Sequence, residues 1–168
     1  LEVDPTGTLI YDEHLTPGRV AHGESWQFDH LYSRMRCSRP NGDLITADTN
    51  VLKPKENPVT TPGLFGEYSD MGVTYVIAEH HPDQPALADA MHDSVQDLAD
   101  VIGSASVLPS GVGAHARVLG TSTSRTEGAL HACWSAARKE LLGVEVTPIH
   151  RAKHGFDPTI THQPPPEK

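Results

Sequence analysis

The sequence predicts a mainly β fold, all-β or α+β, with two helices in its second half. Three observations predict it. Apolar and aromatic residues alternate with polar ones across residues 26–34, the period of a half-buried strand. Asn41-Gly42 is the strongest short hairpin signal in the chain. Beyond residue 84 the apolar spacing changes to three and four, the period of an amphipathic helix. Strands gathered early and helices late favour this class over a doubly wound α/β sheet.

The elements follow in order. Leu1-Glu2-Val3-Asp4 reads as a strand already in progress, so further N-terminal sequence is expected before it. After the turn Pro5-Thr6-Gly7, Thr8-Leu9-Ile10-Tyr11 is a short β-rich run. Trp26, Phe28, His30, Tyr32 and Arg34 form one face of the next strand. Asn41-Gly42 then joins residues 33–39 to residues 43–52. Pro54, Pro58 and Pro62 make 53–63 an irregular connection. Val73-Thr74-Tyr75-Val76-Ile77 is an apolar strand.

Pro85 suits a first helical turn. Leu87, Met91, Val95, Leu98 and Ile102 place a helix over 85–102, with Gly103 as its stop. Residues 114–119 read as a strand. Ser124-x-x-Glu127 is a capping box for a helix over 124–142, ended by Gly143. Leu130, Trp134, Ala137 and Leu141 form its apolar stripe, so Leu98, Trp134 and Leu141 are expected to be buried. Residues 1–151 read as one β-rich domain. Residues 152–168, with Pro164-Pro165-Pro166, read as a tail that is disordered or pinned only by a partner.

Composition excludes several classes. The net charge is −9, from 22 acidic and 13 basic residues, which argues against nucleic acid and anionic membrane as main partners. No apolar run approaches about 18 residues, so no membrane-spanning helix is expected. Nothing at the start reads as a secretory signal, and the expected location is the cytoplasm. Cys37 and Cys133 have no zinc-site spacing and read as buried free thiols.

No catalytic device is spelled out. Arg19 and Glu24 suit a buried ion pair fixing a turn, and no nucleophile or metal motif lies near Glu24. Adjacent His80 and His81 would point to opposite faces of a strand and make poor joint ligands. His150 and His154, in the tail-like segment, suit at most weak metal binding. The loop Gly120-Thr121-Ser122-Thr123-Ser124 lacks the lysine and spacing of a phosphate loop. A metal-dependent hydrolase using Asp12, Asp48 and nearby histidines stays open, as does a plain β-rich interaction module. The hydrolase needs three ligands about 2.0–2.2 Å from one metal.

Several segments carry a family resemblance. Gly18-Arg19-Val20-Ala21-His22-Gly23-Glu24 matches a G-R-x-A-x-G-E pattern, followed by Ser33-Arg34 and then Asp48-Thr49-Asn50-Val51-Leu52-Lys53-Pro54. Tyr11-Asp12 comes shortly before the first of these segments, and the strand at 73–77, Arg117-Val118-Leu119-Gly120 and Trp134-x-x-x-Arg138-x-x-Leu141-Leu142-Gly143 come after them in order, with Pro148 beyond. Together they resemble the C-terminal portion of the UreD (UreH) urease accessory proteins. The family's N-terminal β-rich region with a G-G-D-type loop does not appear here. Ile149-His150-Arg151 stand where the family carries an aromatic residue.

The resemblance implies a right-handed β-helical fold with two helices and no catalytic turnover. It implies binding to UreF, which recruits the GTPase UreG, docking on apo-urease, and a dimer of heterodimers with UreF. It implies transient nickel passing through a polar tunnel rather than a tightly bound cofactor. Asp12 and Asp48 fall at the family's strand-end carboxylates, and weak oxygen ligands of that kind release a hydrated cation again. They are the expected nickel-path residues, set along a polar path and facing one another or enclosed water. Gly18, Arg19, Gly23, Glu24, Trp134 and Arg138 are expected to be structural.

Overall fold

The computed structural model describes residues 1–145. Its strands are β1 (Leu9–Leu15), β2 (Leu31–Ser38), β3 (Leu44–Leu52), β4 (Asp70–Ile77), β5 (Val101–Val107) and β6 (Gly113–Gly120). Its helices are α1 (Gln84–Gln96) and α2 (Thr123–Leu142), with a single 3-10 turn at Val20–His22. Four strands form a sheet in the order β1-β4-β6-β5, and β2 and β3 form a separate hairpin. All of these pairs are antiparallel. The described β structure is therefore layered, and the chain is mainly β with two helices in its second half.

The four-stranded sheet is the middle layer. Alternate residues of β4 enter different cores: Val73, Tyr75 and Ile77 pack with Met35, Cys37 and Ile45 of the hairpin. Val76 packs with Leu87, Met91 and Val95 of α1 and with Ala129, Leu130 and Cys133 of α2. All eight β4 residues are buried, which explains the near-continuous apolar run there.

The hairpin forms where Asn41-Gly42 placed it. Gly42 has φ +92°, the left-handed backbone that glycine adopts without a Cβ penalty. Asn41 Oδ1 accepts from the Asp43 backbone N–H at 3.0 Å. The strand predicted from residue 26 begins only at Leu31. Trp26 has φ +55°, and its ring meets Phe65 edge-on at 5.4 Å and Phe28 at 5.7 Å. The aromatic alternation there closes one end of a core instead of extending the hairpin.

The first helix is shorter than its spacing suggests. Asp83 caps it, its side chain accepting from the Ala86 backbone N–H, and it ends at Gln96 rather than 102. Asp100 takes a left-handed φ of +63°, which reverses the chain into β5. Ile102 lies in that strand and is 55% exposed. Gly103 is a strand residue, not a helix stop. A Cβ there would stand 2.6 Å from Val118 Cγ1, so the glycine permits close packing.

The second helix is capped by Ser122, whose hydroxyl accepts from the Arg125 backbone N–H, and not by Ser124. Gly143 closes it with φ +65°. Its buried face is Thr126, Ala129, Leu130, Cys133 and Ala137. Leu98 and Leu141 are only partly buried against this core. Trp134 stands outside the apolar stripe, half-buried, with the Arg138 guanidinium carbon 4.7 Å from its ring centre. The tail 152–168, with His154, lies outside the described residues, as do Pro148, Ile149, His150 and Arg151.

Candidate functional site

The two faces of the middle sheet differ in chemistry. Toward the helices, β6 presents Ala114, Ala116 and Val118. Toward the hairpin it presents His115 and Arg117, which pair in register with Tyr75 and Val73. The hairpin answers from β3 with Asp48. Tyr75 Oη donates to Asp48 Oδ2 at 2.5 Å, and Arg117 donates to the same oxygen at 2.5 Å. His115 stacks on Tyr75 with ring centres 6.2 Å apart. A carboxylate, a phenol, a guanidinium and an imidazole thus meet between two β layers.

Burial opposes ionisation of Asp48, but the Tyr75 hydroxyl and Arg117 outweigh it and hold the carboxyl below its usual pKa. Burial and the neighbouring Asp48 raise the Tyr75 phenol, so it stays a hydrogen-bond donor. Burial and then Arg117 lower the His115 pKa and favour its neutral form.

The same interlayer space opens at the β1 edge. Ser33 of β2 donates to Glu13 Oε1 of β1, tying hairpin to sheet. Glu13 Oε2 is buried with no hydrogen-bond partner. A cavity of about 490 Å³ lies there, with Glu13, Ser33 and Asn50 in its lining. A further bridge, Arg39 to Glu79, is bidentate at 2.9 Å and anchors the hairpin tip.

Asp12 lies on the other face of the sheet. Its register partner is Thr74, whose Oγ1 donates to Asp12 Oδ1 at 2.6 Å. Partial burial of its carboxylate raises its pKa, and the Thr74 hydrogen bond works against this. Thr74 and Tyr75 are consecutive, so the partners of Asp12 and Asp48 point in opposite directions. Asp12 and Asp48 therefore do not face one another, because β4 stands between them.

The Gly18–Glu24 segment forms a compact turn. Arg19 Nε and one terminal nitrogen donate to the two Glu24 carboxylate oxygens, each at 2.8 Å. The pair forms as expected but is not buried: the side chains are 71% and 42% exposed. Solvent limits such a pair to about 0–1 kcal/mol, far below a buried one. Gly18 has φ +103°, and a Cβ there would stand 2.9 Å from the Glu24 carbonyl oxygen. Gly23, at φ +75°, closes the 3-10 turn. The glycines thus shape the turn, and the ion pair decorates it.

A family model described as "UreD urease accessory protein" matches residues 1–152. The chain belongs to the UreD family. Among curated relatives, a UreD from Haloarcula marismortui is 37% identical over 142 residues, covering 84% of this chain and 46% of that protein. A "UreD 2" from Streptomyces griseus is 35% identical, covering 84% and 48%. A UreD from Cenarchaeum symbiosum is 30% identical, covering 90% and 53%. The chain spans about half the length of these UreD relatives. Among the described residues, no three His, Cys, Asp or Glu side chains are grouped to hold a metal ion. None of the described helices is long and apolar enough to cross a membrane.

Sequence reasoning named Asp48 but not Tyr75, His115 and Arg117, which gather around it, nor Glu13 at the β1 edge. The signal was present in β6. His115 and Arg117 alternate with Ala114, Ala116 and Val118, so one face of an otherwise apolar strand is polar. A second buried carboxylate was also missed. Asp70 is 1% exposed and accepts from Thr123 Oγ1 at 2.9 Å, beside the start of α2. Ser69 also donates to it, and His14 Nε2 lies 3.4 Å away. A helix N-terminus suits that negative charge.

Proposed function

We propose that this chain is a non-catalytic scaffold of urease maturation in the cytoplasm. In this reading it binds UreF, which brings the GTPase UreG, and the assembly docks on apo-urease. Nickel is cargo and passes through the polar layer between hairpin and sheet. Family membership supports the role. The observation that supports the route is the polar layer between hairpin and sheet, where Asp48 meets Tyr75 and Arg117 and where a separate cavity has Glu13, His14, Ser33, Arg34 and Asn50 in its lining. Apolar packing alone would exclude a hydrated cation, since desolvating its charge is costly.

The chemistry suits passage. Asp48 is already engaged by Arg117 and Tyr75, so it contributes an oxygen without a full free charge. Glu13 keeps one carboxylate oxygen unpartnered. Separated single carboxylates attract a dication without enclosing it, so the ion leaves again. A hydrolase reading has less support, because it requires a convergent ligand set that the described residues do not provide.

A reconstituted urease-activation assay, run with the chain and its partners, tests this reading. Asp48→Ala is expected to lower nickel-dependent activation while UreF still co-purifies. Asp12→Ala, across the sheet, is expected to retain activation. Full activation by the Asp48→Ala variant would remove the interlayer route. Loss of UreF binding would recast Asp48 as a residue that only holds the scaffold.

A further inference from the structure

The partners of Asp48 differ in how firmly each is held. Tyr75 Oη and an Arg117 terminal nitrogen both donate to Asp48 Oδ2, and the Thr49 backbone N–H bonds the same carboxylate. Tyr75 is 3% exposed and packs with Met35, Cys37 and Ile45, so its hydroxyl cannot leave unless the core moves. The Thr49 amide adjoins Asp48 in β3 and is fixed by the backbone. Arg117 is different. Its backbone is locked in β6, between Val73 of β4 and Ser104 of β5, but its guanidinium stands at the end of a long side chain. Rotation of that side chain moves no backbone. Among the described partners of Asp48, Arg117 alone is both charged and free to turn away.

Charge makes this difference matter. Burial and then Arg117 lower the His115 pKa, so the imidazole beside Tyr75 adds no second positive charge at neutral pH. The cluster is therefore balanced by one pair, Arg117 against Asp48. A dication that reached Asp48 with Arg117 in place would set three positive charges against one negative. With the guanidinium turned away, two stand against one. Arrival of the ion and departure of the guanidinium are thus coupled by Coulomb repulsion. The reverse holds as well. A tethered guanidinium stays at high effective concentration, so it competes for the oxygen throughout the ion's stay.

We propose that Arg117 is a tethered counter-ion that sets how readily a nickel dication leaves Asp48. It is a positioning residue that acts through Asp48, not a ligand. The guanidinium holds Oδ2 while no ion is present, gives way to the dication, and expels it on returning. No covalent bond changes. Tyr75 and Thr49 keep the carboxylate in place throughout, so the site is ready when the ion goes. The inference rests on the reading that nickel passes Asp48, and it assigns the release step within that reading.

The test uses the full chain and nickel ion alone, at low salt and neutral pH. Nickel is paramagnetic and broadens the ring signals of Tyr75 and His115 only when it sits beside them, so ions held on distant histidines are not counted. Arg117→Met keeps an apolar stem and removes the charge, and a melting curve checks its fold. It is expected to show the broadening at about tenfold lower nickel, and to yield nickel to excess chelator about tenfold more slowly. Arg117→Lys, which restores the charge, should return both values most of the way. In the unmodified chain, zinc serves as a diamagnetic dication and should shift the Arg117 guanidinium signals toward those of free arginine. Equal nickel midpoints and equal release rates in the unmodified chain and Arg117→Met would overturn the proposal and leave the nickel route standing. Guanidinium signals unmoved by zinc, while those of Tyr75 shift, would overturn it even if Arg117→Met failed to fold. Absence of ring broadening in every form would remove the ion from Asp48, and the route would fall together with the proposal.

Discussion

The helix-facing and hairpin-facing sides of one sheet are built on different principles. On the helix side, Val76, Ala114, Ala116 and Val118 meet Leu87, Met91, Ala129 and Cys133 in an apolar core. Small residues let the layers approach: a Cβ on Gly120 would stand 2.4 Å from Thr126 Oγ1. On the hairpin side, apolar contacts flank Tyr75 and its neighbours Asp48 and His115, and the half-exposed Arg117, held by directional bonds, closes the cluster from the solvent side. One side stabilises through area removed from water. The other spends part of its interior on groups that need partners to be tolerable there. The sheet thus separates the layer that holds the fold from the layer that can handle charge.

The strongest test of this contrast lies on the helix side. Leu87→Ala, at a fully buried position, is expected to cost about 2–5 kcal/mol by urea denaturation. Leu141→Ala, only partly buried, should cost clearly less. Equal losses would show that burial does not grade the helix layer as described.

On the hairpin side the expected effects are smaller and depend on pH. Asp48→Asn should cost about 1–2 kcal/mol at neutral pH, since Arg117 and Tyr75 keep a polar partner and solvent reaches the pair. The lowered His115 pKa means the unfolded chain binds its proton more readily. That stability is fully present above the ordinary histidine value of 6.5 and is lost as pH falls below it. Asp48 has the same sign: its contribution is present above 3.8 and is lost as pH falls toward its lower folded value. Melting curves between pH 7 and 5 should therefore decline, and His115→Gln should flatten that portion. An unchanged slope would assign the decline to other groups.

The smallest effect belongs to the Gly18–Glu24 turn. Arg19→Ala should change stability by no more than about 1 kcal/mol, because the ion pair is exposed. A larger loss in the isolated chain would mean that the turn carries more of the fold than its exposure indicates.

Legibility in the sequence followed the locality of each signal. The hairpin was readable because Asn41-Gly42 encodes its own turn. Pro85 in the first turn of α1 and the stop at Gly143 are equally local. The end of α1 was not readable from its stripe, because Ile102 fits both helical spacing and the strand that it joins. Trp134 extends the stripe by count, but helix geometry sets it beside Arg138 rather than in the core. Asp12 and Asp48 are each strand acids in sequence, and only the pairing of β1 with β4 reveals that they occupy different faces. Tyr75 and Arg117 were visible as strand residues, while their meeting at one oxygen of Asp48 is a long-range contact that no local pattern encodes.

The double burial of β4 has a consequence for how the chain finds its alignment. A slip of one residue in that strand would exchange Thr74 with Tyr75 and Val76 with Ile77. Tyr75 would be driven among the small alanines under the helices, and Thr74 would face Asp48 without the reach of a phenol. Both neighbouring layers would be mismatched by the same error. Most strands are checked for alignment by one packed surface. This one is proofread by two, and a chain that passes both has already placed its polar layer opposite its apolar one.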